Sequence, residues 1–346
     1  MQAQYRVCIV GCGRMGGTID EEIQGNKHGS LPYSHAAGYT SYPRTTVVAA
    51  ADVLEEKAQY VCTKWNIPKY YLDYREMIEK EKPEIISIAT RPGNHAEITS
   101  FAAEHGVKGI YCDKPLCASM EEADAMYDIC VLHNIKFNLG TQRRFSPGYL
   151  KMREIIESGE IGERSSIIAY SGGAALWSYT HAADMILFLA SDSNVDYVQG
   201  DVNIDDNDFE DNRTEVDPSI TMGYIQFRNG VRGISIPGSA YEFEVNCSNG
   251  VIRSLNNGLD FQLRKKHGKF NEILDTNFPN YEHKSGTVGC IADIVEAIDT
   301  ERETKGNIRL ARISTEITLG IVESQRQKGT RIYMPMGNRS LYLGQW

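Results

Sequence analysis

The segment Val7–Gly16, "VCIVGCGRMG", sets glycines at 11, 13 and 16 directly after a short β-branched run. Each position has its own physical use. A tight turn out of a strand needs Gly11, a phosphate approaching the backbone needs Gly13, and a helix packed closely on the strand needs Gly16. The N–H groups freed where that helix begins are donors for a pyrophosphate. A strand, this turn and a helix at the head of the chain point to a parallel sheet wound by crossover helices.

The next ~130 residues keep that pattern. Short apolar runs at 6–10, 46–51, 84–89, 108–112 and 136–140 read as strands covered on both faces. Segments of helical spacing separate them at 55–65, 94–106 and 119–134. The second run, "VVAAAD", ends in Asp52, which lies 36 residues after Gly16. The usual interval is ~20, and residues 19–35, "IDEEIQGNKHGSLPYSH", read as an insertion that supplies the excess. A carboxylate there accepts hydrogen bonds from adenosine 2′- and 3′-hydroxyls and repels a 2′-phosphate. The following "VLEE" offers no arginine to offset it, so NAD is the expected cofactor.

After the helical segment 146–162 the pattern changes. Residues 215–264 read as an antiparallel meander, with "RNG" and "SNG" as hairpin turns, and two helices follow at 286–299 and 308–329. One face of such a meander needs cover, which predicts a homo-oligomer. The polar stretch 201–217, "DVNIDDNDFEDNRTEVD", reads as an exposed loop or lid. It lacks the glycine and terminal glutamate of an EF-hand calcium loop.

Composition excludes other classes. A net charge of −10 with scattered Lys and Arg argues against a nucleic-acid partner. No apolar run approaches the ~18 residues a membrane span needs, and a strand-like segment begins too early to leave room for a signal peptide. Eight cysteines without a CxxC pair are expected to be reduced, mostly buried thiols of a cytoplasmic protein.

Two further stretches carry chemistry. "GIYCDKPLCAS" places Lys114 just beyond a parallel strand, where ligands of such sheets bind. "LWSYTHAADMILFLA" (176–190) puts Trp177, His181, Asp184 and Phe188 on one helical stripe. Taken alone, it fits a polar pair in a core, two ligands of a metal, or the working edge of an active site.

In order along the chain, "GCGRMG", "HAAGYTSYPRTTVVAAAD", "IATRPGNHAE", "DKP", "RRFSPGYLKMREIIESGEIG", "THAAD" and "YEFEVNCSNG" resemble the Gfo/Idh/MocA family of oxidoreductases. The resemblance runs over nearly the whole length. It implies an α/β protein: an N-terminal Rossmann NAD-binding domain, 1–140, followed by an α/β domain, 141–346. That second domain has an open, mainly antiparallel sheet and serves substrate binding and oligomerisation, as a homodimer or homotetramer. Lys114 matches the family's catalytic-site lysine and His181 its active-site histidine. Asp184 matches the acid one helical turn later, with a role in orienting the helix or the substrate; no metal is expected. The cofactor set becomes Gly11, Gly13, Arg14, Met15, Gly16, Asp52, Thr90, Arg91, Asn94, His95, Asp113 and Lys114. The substrate set becomes Lys114, Arg143, Trp177, Tyr179, His181 and Asp184.

The chain also departs from the family. Asp113 stands where the family has glutamate, Arg91 interrupts its Thr-Pro, and Trp177 replaces an aspartate four residues before the histidine. A tryptophan there offers a flat apolar face to a sugar ring, or else belongs to the core. The expected activity is NAD-dependent oxidation of a secondary alcohol of a sugar, glycoside or cyclitol. The alternatives are a sugar enzyme that recycles its NAD through transient oxidation and a non-catalytic sensor.

Overall fold

The computed structural model describes residues 4–25, 30–268 and 272–344. They form two compact units: Met1–Cys117 with Glu121–Phe145 and Lys284–Arg312, and Ala118–Met120 with Ser146–His283 and Ile313–Trp346. The chain thus leaves the first unit after Phe145 and returns to it at Lys284.

The first unit holds six parallel strands: β1 (Tyr5–Val10), β2 (Thr45–Ala51), β3 (Tyr70–Tyr71), β4 (Ile85–Ile88), β5 (Gly109–Cys112) and β6 (Lys136–Leu139). Their spatial order is β3-β2-β1-β4-β5-β6. Every residue of β4, β5 and β6 is buried, as two covered faces require. β3 is two residues long, too short for any periodicity to reveal. On one face Val7 and Ile9 join Tyr39, Val61, Ile291 and Ile294 in a single core. The last two come from the helix Gly286–Thr300, which follows the second sheet in sequence yet packs in this unit. Gly109 admits it, since a Cβ there would lie 2.7 Å from Ile294 Cγ2. In the lengthened first crossover, Asp20 accepts the N–H groups of Tyr33 at 2.8 Å and Ser34 at 3.2 Å. The loop closes there, and Ser34 caps the helix His35–Ser41; residues 26–29 of the insertion lie outside the described residues.

The second unit contains β7 (Arg164–Tyr170), β8 (Gly173–Ala174), β9 (Val195–Asn203), β10 (Arg213–Thr214), β11 (Ser219–Phe227) and β12 (Arg232–Ile236). Then come β13 (Glu242–Cys247), β14 (Gly250–Leu255), β15 (Asp260–His267), β16 (Glu272–Thr276), β17 (Ile332–Tyr333) and β18 (Tyr342–Leu343). The large sheet runs β16-β15-β14-β13-β7-β12-β11-β9-β17, with β8 on β11. Both expected hairpins form, β11–β12 and β13–β14, but they are not neighbours. β7 lies between them, antiparallel to β13 and parallel to β12. The sheet is therefore mixed, though mainly antiparallel. Alternation in sequence reports which face of a strand is buried; it carries no information on which distant strand fills the adjacent edge.

Residues 201–217 also differ from a free loop. Their first residues belong to β9, β10 pairs in parallel with β18, and Asp217 binds backbone donors of the segment 175–177. The polar side chains misled because the ordering comes from backbone pairing with segments far away in the chain. No helix among the described residues is long and apolar enough to cross a membrane.

Candidate active site

In the first unit, β1 is flanked by β2 on one side and β4 on the other. Chain crossovers leave β1 and β4 in opposite directions, so a crevice opens beyond the carboxyl ends of these strands. The residues expected to hold a cofactor follow those ends: Gly11–Gly16 after β1, Asp52 after β2, Thr90–Asn94 after β4, and Asp113 and Lys114 after β5. Arg143, half-buried, follows β6.

The three glycines separate as the spacing demands. Gly11 has φ +95°, and a Cβ on it would meet Ala89 O at 2.5 Å. A Cβ on Gly16 would lie 2.0 Å from Gly11 O. Around Gly13 nothing lies within 4 Å of the Cβ position. Two glycines let the chain fold against itself, and the third leaves its backbone open on one side, which fits a dinucleotide phosphate. A single wide turn, Arg14–Thr18, follows, and Trp65 Nε1 donates to Gly17 O at 2.8 Å. Arg14 is exposed and its guanidinium pairs with Glu22 at 2.7 Å; Met15 is half-buried.

Asp52 has a second duty that its position in sequence does not reveal. Its carboxylate accepts the N–H of Cys12 at 2.8 Å and of Leu54 at 2.9 Å. The same group that fits a ribose therefore braces the glycine turn. A carboxylate has about four acceptor sites, so these two bonds leave capacity for ligand hydroxyls.

Beyond β4, Arg91 and Asn94 are exposed and Thr90 is half-buried. His95 is fully buried. Its Nε2 lies 3.1 Å from Thr90 O, and its Nδ1 lies 3.1 Å from both Pro115 O and Leu116 O. The Cys112 thiol is 3.3 Å from Nδ1. Burial lowers the histidine's pKa against the pull of the three carbonyls, and a neutral ring has one N–H. That hydrogen serves either Thr90 O from Nε2, leaving Nδ1 to accept from the Cys112 thiol, or the Pro115 and Leu116 carbonyls from Nδ1. His95 therefore joins the loop after β4 to the loop carrying Lys114, and has no surface open to a ligand.

Lys114 is half-buried beside Asp113. Asp113 is only 7% exposed, and its Oδ1 has no hydrogen-bond partner among the described residues. Burial pushes its carboxyl up to about 6, opposed by the charge and backbone N–H of Lys114. Gly140 lets the carboxyl fit, because a Cβ there would be 3.0 Å from Oδ1.

In the second unit, the helix Thr180–Leu189 follows a wide turn, Ala175–Tyr179. The stripe read from the sequence runs from surface to core: Trp177 is 52% exposed, His181 half-buried, and Asp184 and Phe188 buried. Trp177 is therefore not a core residue. Tyr179 is one: it is 0% exposed, its hydroxyl lies 2.7 Å from Ser235 Oγ, and burial pushes its pKa up to about 12. The ring of Tyr241 stands edge-on to His181, centroids 6.3 Å apart, and its hydroxyl donates to Ser178 O at 3.3 Å. Among the described residues no group of three or more His, Cys, Asp or Glu could hold a metal ion. Sequence reading missed Asp217 and Tyr241. Asp217 sits inside the stretch read as a loop, and only its place before Pro218 could have hinted at a turn.

The buried acid supplies a test. A carboxyl raised from 3.8 to about 6 binds its proton more tightly folded than unfolded. Its stability contribution is full below pH ~4 and is lost as pH rises through ~6. Asp113→Asn is expected to stabilise the protein at pH ~7.5 by on the order of 2–3 kcal/mol, the gain vanishing by pH ~4. Urea unfolding of the cofactor-free protein at both pH values measures it. Equal stabilities at the higher pH would show that the buried carboxyl is not penalised.

Residues 5–141 match the model of the Gfo/Idh/MocA family, described as an oxidoreductase family with an NAD-binding Rossmann fold. The scyllo-inositol 2-dehydrogenase (NAD(+)) of Bacillus subtilis (strain 168) is 28% identical over 248 residues, 67% of each chain. The levoglucosan dehydrogenase of Pseudarthrobacter phenanthrenivorans is 33% identical over 160 residues, 45% of this chain and 39% of that one. A solved levoglucosan dehydrogenase in complex with NADH and levoglucosan shares the fold, with a TM-score of 0.78 at 21% identity. That comparison covers 96% of this chain and 100% of the other. In residues 5–141 the chain carries an NAD-binding Rossmann fold similar to that of the Gfo/Idh/MocA family of oxidoreductases.

Proposed function

We propose that this oxidoreductase is NAD-dependent and acts on a secondary alcohol of a sugar, glycoside or cyclitol. The observation that carries the reading is the half-buried His181, one turn after an exposed Trp177 on a turn held by its neighbours. The relatives named for inositol and levoglucosan support the substrate class. Bound NAD supplies the hydride acceptor. His181 takes the proton of the reacting hydroxyl. Lys114 donates a hydrogen bond to a substrate oxygen and stabilises negative charge as it develops there. Trp177 stacks on the apolar face of the ring, and Arg143 binds hydroxyls. Asp184, 2% exposed within its helix, orients that helix rather than touching the substrate. The cofactor is held by Gly11, Gly13, Gly16, Met15, Thr90 and Asp52, with His95 acting from behind.

The deciding experiment incubates the purified protein and NAD with scyllo-inositol, myo-inositol, levoglucosan and alkyl glycosides, following NADH and products. Accumulating NADH with a keto product supports a dehydrogenase; product without NADH points to a recycling enzyme. On the best substrate, His181→Ala lowers kcat by ~10²–10⁴ and Lys114→Ala by ~10²–10³, with NADH affinity kept. Full turnover in His181→Ala returns the histidine to a packing role.

Asp52 sets the cofactor preference. kcat/KM with NAD is expected to exceed that with NADP on one substrate, and Asp52→Ala narrows the gap. Because Asp52 also holds Cys12, that variant binds both cofactors more weakly. Equal performance of the native protein with NADP would remove the assignment.

A homo-oligomer is proposed from the half-exposed face of the large sheet. Tyr333 and Ile236 are 59% and 40% exposed there, and Tyr197 lies between Tyr224 and Tyr333 at centroid distances of 5.9 and 5.5 Å. Light scattering at micromolar concentration is expected to report at least a dimer. A monomer would leave that face to solvent.

A further inference from the structure

The turn Ala175–Tyr179 has three leading amide donors and no side chain of its own to satisfy them. All three are taken by residues some forty positions later. Ala175 N–H donates to Pro218 O at 2.8 Å, Leu176 N–H to Asp217 Oδ1 at 2.8 Å, and Trp177 N–H to Asp217 Oδ2 at 2.9 Å. The carboxylate uses one oxygen for each of two successive amides. Charge-assisted bonds of this kind are about twice as strong as neutral ones. At the other end of the turn, Tyr241 holds Ser178 O.

This arrangement gives an exposed tryptophan a fixed backbone. Trp177 is 52% exposed. Its mainchain is clamped by Asp217, and the next turn of the same helix carries His181. The clamp is itself anchored: β10, three residues before Asp217, pairs with β18, and β11, two residues after it, pairs with β8 immediately before the turn.

We propose that Asp217 is a positioning residue for substrate recognition: its carboxylate sets the turn that presents Trp177 to a sugar ring. The proposal rests on the functional reading above, in which Trp177 contacts the substrate. Asp217 touches neither the substrate nor the cofactor; it acts through the Leu176 and Trp177 amides. Removing it loosens the turn, so the ring is presented in many orientations and binding falls before chemistry does.

Hydrogen exchange and steady-state kinetics on the full-length protein test this together. Asp217→Ala removes both acceptors. Asp217→Asn keeps one acceptor and the side-chain volume, and serves where the alanine variant folds poorly. Amides 176 and 177 are expected to exchange at least about tenfold faster in Asp217→Ala. KM for the best sugar substrate rises roughly tenfold while kcat changes less. Asp217→Asn falls between native and alanine in both readouts, and NADH affinity is unchanged in all three proteins. Unchanged exchange at 176 and 177 overturns the clamp. Faster exchange with an unchanged KM overturns its role in recognition while leaving the functional reading intact. A native protein that neither turns over nor binds any of the inositols, levoglucosan or glycosides overturns both, and is recognised by the absence of activity before any substitution is made.

Discussion

The pairing of Val7–Val10 with Ile85–Ile88 is the constraint on which the first unit depends. Two parallel strands that adjoin in space but not in sequence force their crossovers apart, and a crevice is left where they diverge. The glycine turn, Asp52, the Thr90 loop and the Lys114 loop all acquire their place from that geometry. Closure of the turn itself depends on contacts too short for any Cβ. Gly16 approaches the Gly11 carbonyl, and Gly11 the Ala89 carbonyl. A methyl group at either position would push β1 away from the segment that completes the crevice.

Around that crevice, buried groups hold the loops from behind. The buried His95 ring packs among the carbonyls of Thr90, Pro115 and Leu116 and donates its one N–H to one side; Asp52 links the turn to the end of β2 through Cys12. Asp113 is the costly member, a carboxyl with one oxygen unpartnered among the described residues and a raised pKa. Burial of this kind is tolerated where position matters more than stability. The second unit applies the same device with opposite emphasis. There the half-buried carboxylate of the clamp holds the backbone, and the apolar side chain faces solvent.

The match of residues 5–141 to an oxidoreductase family with an NAD-binding Rossmann fold concerns the first unit, and this chain departs from the family's motifs at particular residues. Trp177 removes a carboxylate from the vicinity of His181 and substitutes an apolar surface. Asp113, one methylene shorter than glutamate, is drawn back among Gly140 and the strand ends. Both departures lie within motifs otherwise kept in order.

Much of the first unit was legible in the sequence because its signals are local. Apolar runs, helical spacing and the glycine interval each act over a few residues, and five of its six strands and the close approaches at Gly11 and Gly16 follow from them. In the second unit the two hairpins were legible through "RNG" and "SNG" for the same reason. The tertiary structure alone decided what depends on distant pairing. It inserted β7 between the hairpins, returned Gly286–Thr300 to the first sheet, and ordered 210–217 through β18. It also separated Trp177 from Tyr179, two aromatic residues two positions apart, exposing one and burying the other. Composition and spacing are alike for both; only the direction of each Cα–Cβ bond relative to a sheet assembled from far-off strands tells them apart.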